Sequence, residues 1–191
     1  MIESEYKCII DSTLYQNIVN KLDLEYEGKR VVQINYYYDT EDLKLHQKGI
    51  TFRIRQKDAK LSIEIKYPIE KKGLLSVKKE AAYQIDTVPK GIDINNYSVD
   101  SYLDGEQRII LIGMLVTERN SYRINSGIKV DVDKNYYYGV IDYELEIEFE
   151  VNFMEEAVKY LEGLTAGKYQ VSQNGKRERF IYQLRKMEKL A

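Results

Sequence analysis

The chain has 191 residues, of which 31% are charged and 43% are hydrophobic, a balance typical of folded rather than disordered proteins. Its 29 basic and 31 acidic residues give a net charge of −2, so we expect no nucleic-acid partner and no membrane partner. The single cysteine excludes an internal disulfide, and with no long apolar run and no signal peptide it predicts a cytoplasmic protein. We expect residues 1–191 to form one domain, because neither a repeat nor a low-complexity linker interrupts them. The sequence does not determine the oligomeric state.

The first residues alternate between charged and uncharged side chains. Glu3, Glu5 and Lys7 share one face of a predicted strand, which therefore carries two carboxylates and one ammonium group. Asp11 or Ser12 can cap the helix that follows. Its apolar stripe has four-residue spacing and consists of Leu14, Ile18 and Leu22.

Strands with basic faces come next. After a strand over residues 31–38, residues 51–57 and 61–67 predict a hairpin. Arg53 and Arg55 share a face of its first arm. The second arm and a strand over residues 76–85 contribute further charged residues in phase: Glu64, Lys66, Lys78 and Glu80.

The middle of the chain is less regular. Residues 87–106 predict a loop with at most one poor helix, whereas residues 109–124 begin as an apolar strand and then carry Arg119 and Arg123 on one face. The strand that follows, over residues 128–133, has three charged residues in phase: Lys129, Asp131 and Asp133.

The most regular strand is also the most acidic. Over residues 142–150, glutamates that include Glu144, Glu146 and Glu148 alternate with aromatic and branched residues. Same-face neighbours along a strand lie about 7 Å apart, and like charges at that spacing repel one another. This face therefore requires solvent or cations opposite it.

Two helices complete the prediction. Asn152 and Glu155 have the spacing of a capping box at the start of the first helix. The second helix carries an apolar stripe of Phe180, Leu184 and Met187.

The charges are sorted by strand. An antiparallel sheet with one solvated face explains the alternation within any single strand. However, the first and last strong strands are acidic and the strands between them are basic. If these strands form a β-dominated α+β fold, a closed eight-stranded antiparallel barrel with outer helices, the opposite charges face each other across a charged tunnel. Mg²⁺ or Mn²⁺ prefers oxygen ligands, and arginine and lysine suit phosphate oxygens, so a metal-bridged polyphosphate fits such a tunnel.

Several segments, in order along the chain, resemble motifs of the CYTH superfamily, the triphosphate tunnel metalloenzymes. Glu3-x-Glu5-x-Lys7 resembles the ExExK signature of that family. Further similar segments are residues 37–42 with 49–55 (YYDTxD…GxxLRxR), 61–66 (LTLK), 132–133 with 142–148 (LD…DYELEIE) and 174–180 (the lysine–arginine segment of the single-domain bacterial branch). Thr117 and Gly175 depart from the residues that the family often has, so the resemblance leaves phosphate affinity, and therefore substrate choice, open.

The resemblance implies a function and a set of site residues. It implies divalent-metal-dependent hydrolysis of a triphosphate, either inorganic tripolyphosphate or a nucleoside or organic triphosphate. The implied metal ligands, for Mg²⁺ or Mn²⁺, are Glu3, Glu5, Glu146 and Glu148. The implied substrate-binding residues are Lys7, Arg53, Arg55, Lys66, Lys78, Arg119, Lys176 and Arg179, with Arg123 as a further candidate. The implied catalytic residues are Glu144, Glu146 and Lys66, and the supporting ones are Glu64, Glu80 and Asp133.

Other functions remain open from the sequence. Within the same family, an adenylyl cyclase would convert ATP into cyclic AMP and pyrophosphate, and thiamine triphosphate is a third possible substrate. A module that binds polyphosphate or a nucleotide without turnover would not need both acidic strands. A barrel for an apolar ligand is disfavoured because the face expected to line the tunnel is charged.

Overall fold

The computed structural model describes residues 2–72, 75–95, 97, 108–171 and 174–189, with the side chains of 2–3, 70–72, 75–78 and 171 outside the description. The strands are β1 (Ile2–Ile10), β2 (Lys29–Asp39), β3 (Thr51–Lys57), β4 (Lys60–Lys72), β5 (Leu75–Ile85), β6 (Gly91–Asp93), β7 (Arg108–Arg123), β8 (Ile128–Tyr137), β9 (Val140–Phe149) and β10 (Gln170–Val171). The helices are α1 (Ser12–Glu25), α2 (Lys44–Gln47), α3 (Met154–Thr165) and α4 (Lys176–Glu188). None of the helices in these ranges is long and apolar enough to span a bilayer.

All of these strands belong to one antiparallel sheet with the order β10-β1-β5-β4-β3-β2-β7-β8-β9, and β6 pairs with β7. The first strand has partners on both sides: β1 pairs with β5 through Ile2–Tyr6 and with β9 through Glu5–Ile10. The sheet therefore curls into a barrel-like shape, and the prediction of a β-dominated α+β fold with helices outside is confirmed.

The connection between the last two long strands is a tight turn. Tyr138 and Gly139 join β8 to β9, with φ of 45° and 75°. Positive φ at both central residues is the geometry of a type I′ turn, whose twist matches that of the strands it joins. A two-residue turn of this kind fixes the register of β8 against β9, on which the site depends.

The apolar faces of the strands are covered from outside. Helices α1 and α3 pack on β8 and β9, where Val132 and Leu145 are fully buried, and Cys8 lies in the same core. On β3 and β4, apolar residues pack with Ile92 and Ile94 of the segment around β6.

The last helix packs against a third group of residues. Phe180 and Ile181 of α4 lie against Tyr37, Leu115 and Tyr137, which belong to β2, β7 and β8. The Phe180 ring centroid is 5.0 Å from that of Tyr37. This packing fixes the start of α4, and with it the lysine and arginine residues of its first turn.

Three details differ from the sequence prediction. The capping box at Asn152 is wrong, because residues Val151–Phe153 form a 3-10 turn and α3 begins at Met154 without a side-chain cap. In residues 87–106, the described part contains strand β6 and no helix, while residues 96 and 98–107 lie outside the description. The described residues contain ten strands rather than about eight, because β6 and β10 are too short for an alternating pattern.

Candidate active site

The strand register brings the acidic residues of three strands together. Glu146 of β9 pairs with Lys7 of β1 on one side and with Asp131 of β8 on the other. Glu144 pairs with Asp133 in the same way. Because side chains directly opposite each other have Cβ atoms about 5 Å apart, this register alone creates a dense group of carboxylates.

We call this group the acidic cluster, and its members are Asp131, Asp133, Glu144, Glu146 and Glu148. One carboxylate oxygen each of Asp131, Glu146 and Glu148 lies within 4.8 Å of the others. Asp131, Asp133, Glu144 and Glu146 are buried, and Glu148 is partly exposed. Buried carboxylates of like charge are stable only with cations close by.

Arg119 of β7 binds the acidic cluster most extensively. It donates two hydrogen bonds to Asp133, from Nε at 2.7 Å and from Nη2 at 2.6 Å. It also donates to Asp131 at 2.5 Å and to Glu146 at 2.6 Å. The planar guanidinium group thereby fixes three carboxylates relative to one another.

Lys176, from the first turn of α4, is the second central cation. Its Nζ lies 2.7 Å from Asp133, 2.8 Å from Glu144 and 2.5 Å from Glu146. Arg179, one turn further along α4, contacts Glu144 at 3.1 Å. The position of α4 therefore decides whether these buried acids are neutralised.

Two further lysines reach the acidic cluster from β1 and β8. Lys7 Nζ is 2.8 Å from Glu146 and 3.1 Å from Glu5. Lys129 Nζ is 2.8 Å from both Asp131 and Glu148. Lysine and arginine from four elements thus surround the five acids.

These contacts shift the pKa values of the buried glutamates. Burial by itself raises the pKa of Glu146, but Lys176, Lys7 and Arg119 outweigh it and hold that pKa well below its usual value. Burial likewise raises the pKa of Glu144, and Lys176, Arg179 and Lys7 bring it down to about 2. Both side chains are therefore ionised acceptors at neutral pH.

A second group of charges lies on β3 and β4, and we call it the arginine cluster: Arg53, Arg55 and Glu64. Arg53 donates to Glu64 from Nε at 3.0 Å and from Nη2 at 2.6 Å, and Arg55 Nη1 lies 3.3 Å from the same carboxylate. Lys66, also on β4, forms an ion pair with Glu80 of the neighbouring strand β5. Here one carboxylate serves two guanidinium groups, so positive charge is in excess.

The pKa of Arg55 shows this excess. Burial lowers it, the charge of Arg53 lowers it further, and Arg119 adds to the effect, so that the pKa of Arg55 falls to about 10 despite Glu64. A bound anion would relieve this repulsion. Arg119 is itself held by the acidic cluster, which means that the two clusters are close enough to interact electrostatically.

The acidic cluster has the donor chemistry of a hard divalent cation. Asp131, Glu146 and Glu148 offer oxygen ligands, which Mg²⁺ and Mn²⁺ prefer. In addition, Oε1 of the fully buried Glu144 has no hydrogen-bond partner. A buried carboxylate oxygen without a partner is costly, so this group of residues fits a cation.

Most of the implied site residues come together in the two clusters. Lys7, Glu5, Arg119, Lys176 and Arg179 join the acidic cluster. The side chains of Glu3 and Lys78 lie outside the described residues, although their backbones pair between β1 and β5. Arg123 is exposed at the end of β7 and joins neither cluster.

Sequence reasoning missed four contributors. Asp131 belongs to the acidic cluster and Lys129 contacts it, and their phase with Asp133 is the signal that points to both. Asp142 accepts hydrogen bonds from Arg179, and Asn35 accepts one from Arg55 at 3.1 Å. Neutral or turn-proximal residues such as these become visible only through the register.

The positions that depart from the family motifs have ordinary partners. The Thr117 hydroxyl donates to Asn135 at 2.8 Å and is buried. Gly175 is the N-cap residue of α4, and its backbone is extended. Neither position contributes a charge to the clusters.

The chain matches one protein family and is similar to a named protein over most of its length. The family described as CYTH domain matches residues 1–181. The chain is also similar to YjbK of Bacillus subtilis (strain 168), which is named as a candidate triphosphatase, with 30% identity over 154 residues that cover 77% of each protein.

Two solved structures share the fold at lower sequence identity. HpAC1 from Hippeastrum, described as a candidate adenylyl cyclase with a dominant triphosphatase activity, has a TM-score of 0.73 and 22% identity, covering 94% of this chain and 95% of its own. A candidate adenylate cyclase from Bacillus halodurans has a TM-score of 0.70 and 22% identity, covering 92% and 95%. At this identity the similarity concerns the fold alone.

Proposed function

Because this chain belongs to the CYTH domain family, we propose that it hydrolyses a triphosphate and that it needs a bound Mg²⁺ or Mn²⁺ ion to do so. The name of YjbK supports triphosphate hydrolysis as the activity. The observation that carries the proposal is the adjacency of an acidic cluster suited to a divalent cation and an arginine cluster with excess positive charge. A polyphosphate with a bound cation needs both.

We further infer that the curled sheet closes around these clusters as a tunnel. The support comes from β1, which pairs with β5 along one edge and with β9 along the other. Closure would keep the charged faces apart from bulk solvent while the outer faces stay under the helices. Substrate and water would then meet the clusters inside a polar channel.

Glu146 and Glu148, together with Asp131, would hold the cation, and the implied ligands Glu3 and Glu5 lie on the neighbouring strand β1. When bound, the cation supplies charge neutralisation and orientation of the phosphate oxygens. Arg119 and Lys176 keep the carboxylates in position through the contacts described above.

The phosphate chain would be bound by the arginine cluster. Arg53 and Arg55 are oriented by Glu64, and Lys66 is oriented by Glu80. The other proposed phosphate-binding residues are Lys7, Lys78, Arg119, Lys176 and Arg179. Glu144 is ionised, and its Oε1 can accept a further hydrogen bond. We therefore propose that Glu144 orients the attacking water.

The experiment is phosphate release from tripolyphosphate, ATP and thiamine triphosphate, each with Mg²⁺, with Mn²⁺ or with EDTA. We expect orthophosphate from at least one substrate, and none with EDTA. Cyclic AMP and pyrophosphate from ATP would identify an adenylyl cyclase instead. Binding of these substrates without any product would identify a binding module.

Two variants test the residue roles. Arg55→Ala and Glu146→Ala should each lower kcat/KM by about 10²–10³, the scale for loss of one preorganised electrostatic contact. Arg30→Ala is the matched control, because Arg30 is exposed and pairs with Asp23 away from both clusters. Normal hydrolysis of tripolyphosphate by Glu146→Ala would overturn the assignment.

A further inference from the structure

Lys129 occupies the position between two of the carboxylates that a divalent cation would need. Its Nζ lies 2.8 Å from Asp131 Oδ2 and 2.8 Å from Glu148 Oε2. Among the described residues, these two and Glu146 each have one carboxylate oxygen within 4.8 Å of the others. The ammonium group therefore bridges part of the proposed ligand set.

Lys129 also differs from the other cations at the acidic cluster in how firmly it is held. Its side chain is 31% exposed, compared with 14% for Lys7, 12% for Arg119 and 11% for Lys176. Arg119 and Lys176 each contact three carboxylates of the cluster, whereas Lys129 contacts two. A lysine ammonium on a flexible, partly exposed stem can move into water at low cost, because it is strongly hydrated.

The dimensions of the cluster imply that the lysine and a metal ion compete. Mg²⁺ binds oxygen at about 2.0–2.1 Å, so ligands on opposite sides of the ion are about 4.2 Å apart. The three carboxylate oxygens lie within 4.8 Å of one another and can therefore bind the same ion. They cannot do so while an ammonium group remains between Asp131 and Glu148.

We propose that Lys129 is a resident counter-cation of the acidic cluster, which a divalent ion must displace, and that it thereby weakens metal binding when no substrate is present. Elsewhere in the acidic cluster, Oε1 of Glu144 is buried without a hydrogen-bond partner, so the described lysines and arginines do not satisfy every oxygen of the cluster. This inference rests on the proposed metal requirement. Once displaced, the lysine becomes available to a phosphate group near the metal.

The test measures Mn²⁺ binding without substrate, by electron paramagnetic resonance of the free ion, for the wild type, Lys129→Met and Lys129→Arg. Lys129→Met should bind Mn²⁺ about tenfold more tightly or better, because both the competitor and its repulsion are gone. Lys129→Arg keeps the charge and should bind no more tightly than the wild type. Lys168→Met is the matched control, because Lys168 is exposed after α3 and should leave the affinity unchanged.

Each outcome decides the inference. If Lys129→Met, shown to be folded by its thermal unfolding, binds Mn²⁺ no more tightly than the wild type, or not at all, the inference is wrong. Binding that appears in Lys129→Met and is too weak to measure in the wild type would support it. Failure of the proposed function is seen separately: a Lys129 effect on Mn²⁺ affinity without phosphate release leaves this inference standing and refutes the triphosphatase.

Discussion

Replacing Lys176 with methionine removes the ammonium group that three buried carboxylates share and keeps most of the side-chain volume. Asp133 and Glu146 retain their hydrogen bonds from Arg119. Glu144 then relies on Arg179, at 3.1 Å. We therefore expect Glu144 to account for much of the change in the free energy of unfolding.

The magnitude follows from the pKa of Glu144, which lies at about 2 in the folded protein against 4.5 for the unperturbed side chain. That difference corresponds to about 3 kcal/mol of stabilisation at neutral pH. Lys176 is the largest of the three cationic contributions to it, and it also lowers the pKa of Glu146. Lys176→Met should thus cost about 3 kcal/mol at pH 7, in line with about 3–5 kcal/mol for breaking a buried ion pair.

The sign of the pH dependence provides a second check. A carboxylate whose pKa is lowered by folding stabilises the protein above its unfolded pKa, and this contribution is lost as the pH falls through the folded pKa. For Glu144 the loss occurs between about pH 5 and pH 2. In Lys176→Met the folded pKa lies closer to 4.5, so the free energy of unfolding should be lower at pH 7 and should change less over that range.

Urea unfolding of the wild type, Lys176→Met and the control Lys168→Met, at pH 7 and at steps down to pH 3, measures both effects. If Lys176→Met is as stable as the wild type at pH 7, or loses stability just as steeply in acid, the argument that Lys176 neutralises these carboxylates is refuted.

Two further predictions concern glycine and aspartate positions near α4 and α2. Gly113→Ala should displace α4, because Gly113 has φ of +143° and an added Cβ would lie 2.4 Å from Tyr138 Oη and 2.9 Å from Phe180 Cζ. We expect the free energy of unfolding in urea to fall by about 1–3 kcal/mol and phosphate release to be slower. Gly163→Ala, by contrast, adds a Cβ in open space within α3 and should raise the free energy of unfolding by about 0.5–1 kcal/mol. Asp39→Ala should cost about 2 kcal/mol in the same unfolding assay, because its carboxylate accepts backbone hydrogen bonds from Thr40, Leu45 and His46 at the start of α2, and unchanged stability would contradict that role.

The charged faces of the strands could be predicted from the sequence because side-chain direction in a strand depends only on parity. The phase of Arg119 and of Asp133 predicts that each lies on the charged face of its strand, and the two residues form the bidentate pair of the site. The same parity argument predicted that Glu144 and Glu146 need cations opposite them. What parity supplies is the face on which a residue lies.

Which residues of neighbouring strands lie side by side depends on the strand register and on tertiary packing. The alternation of side chains along a single strand does not predict either of them. Asp131 belongs to the acidic cluster because the turn at Tyr138 and Gly139 aligns it with Glu146. The helix cap predicted at Asn152 is wrong because residues Val151–Phe153 form a 3-10 turn, and α3 begins at Met154, one residue later than a cap at Asn152 would place it. Strands as short as β6 and β10 carry too few residues to show a period.

The acidic cluster draws its cations from segments that are far apart along the chain. Lys7 comes from the first strand, and Lys176 from a helix that begins 30 residues after Glu146. Such distant contacts form late and slowly during folding. Because Lys176 follows β8 and β9 in the chain, the carboxylates of these strands are synthesised before the lysine that three of them share. Interactions of the nascent chain with cations in solution would then affect how efficiently this protein reaches its native state.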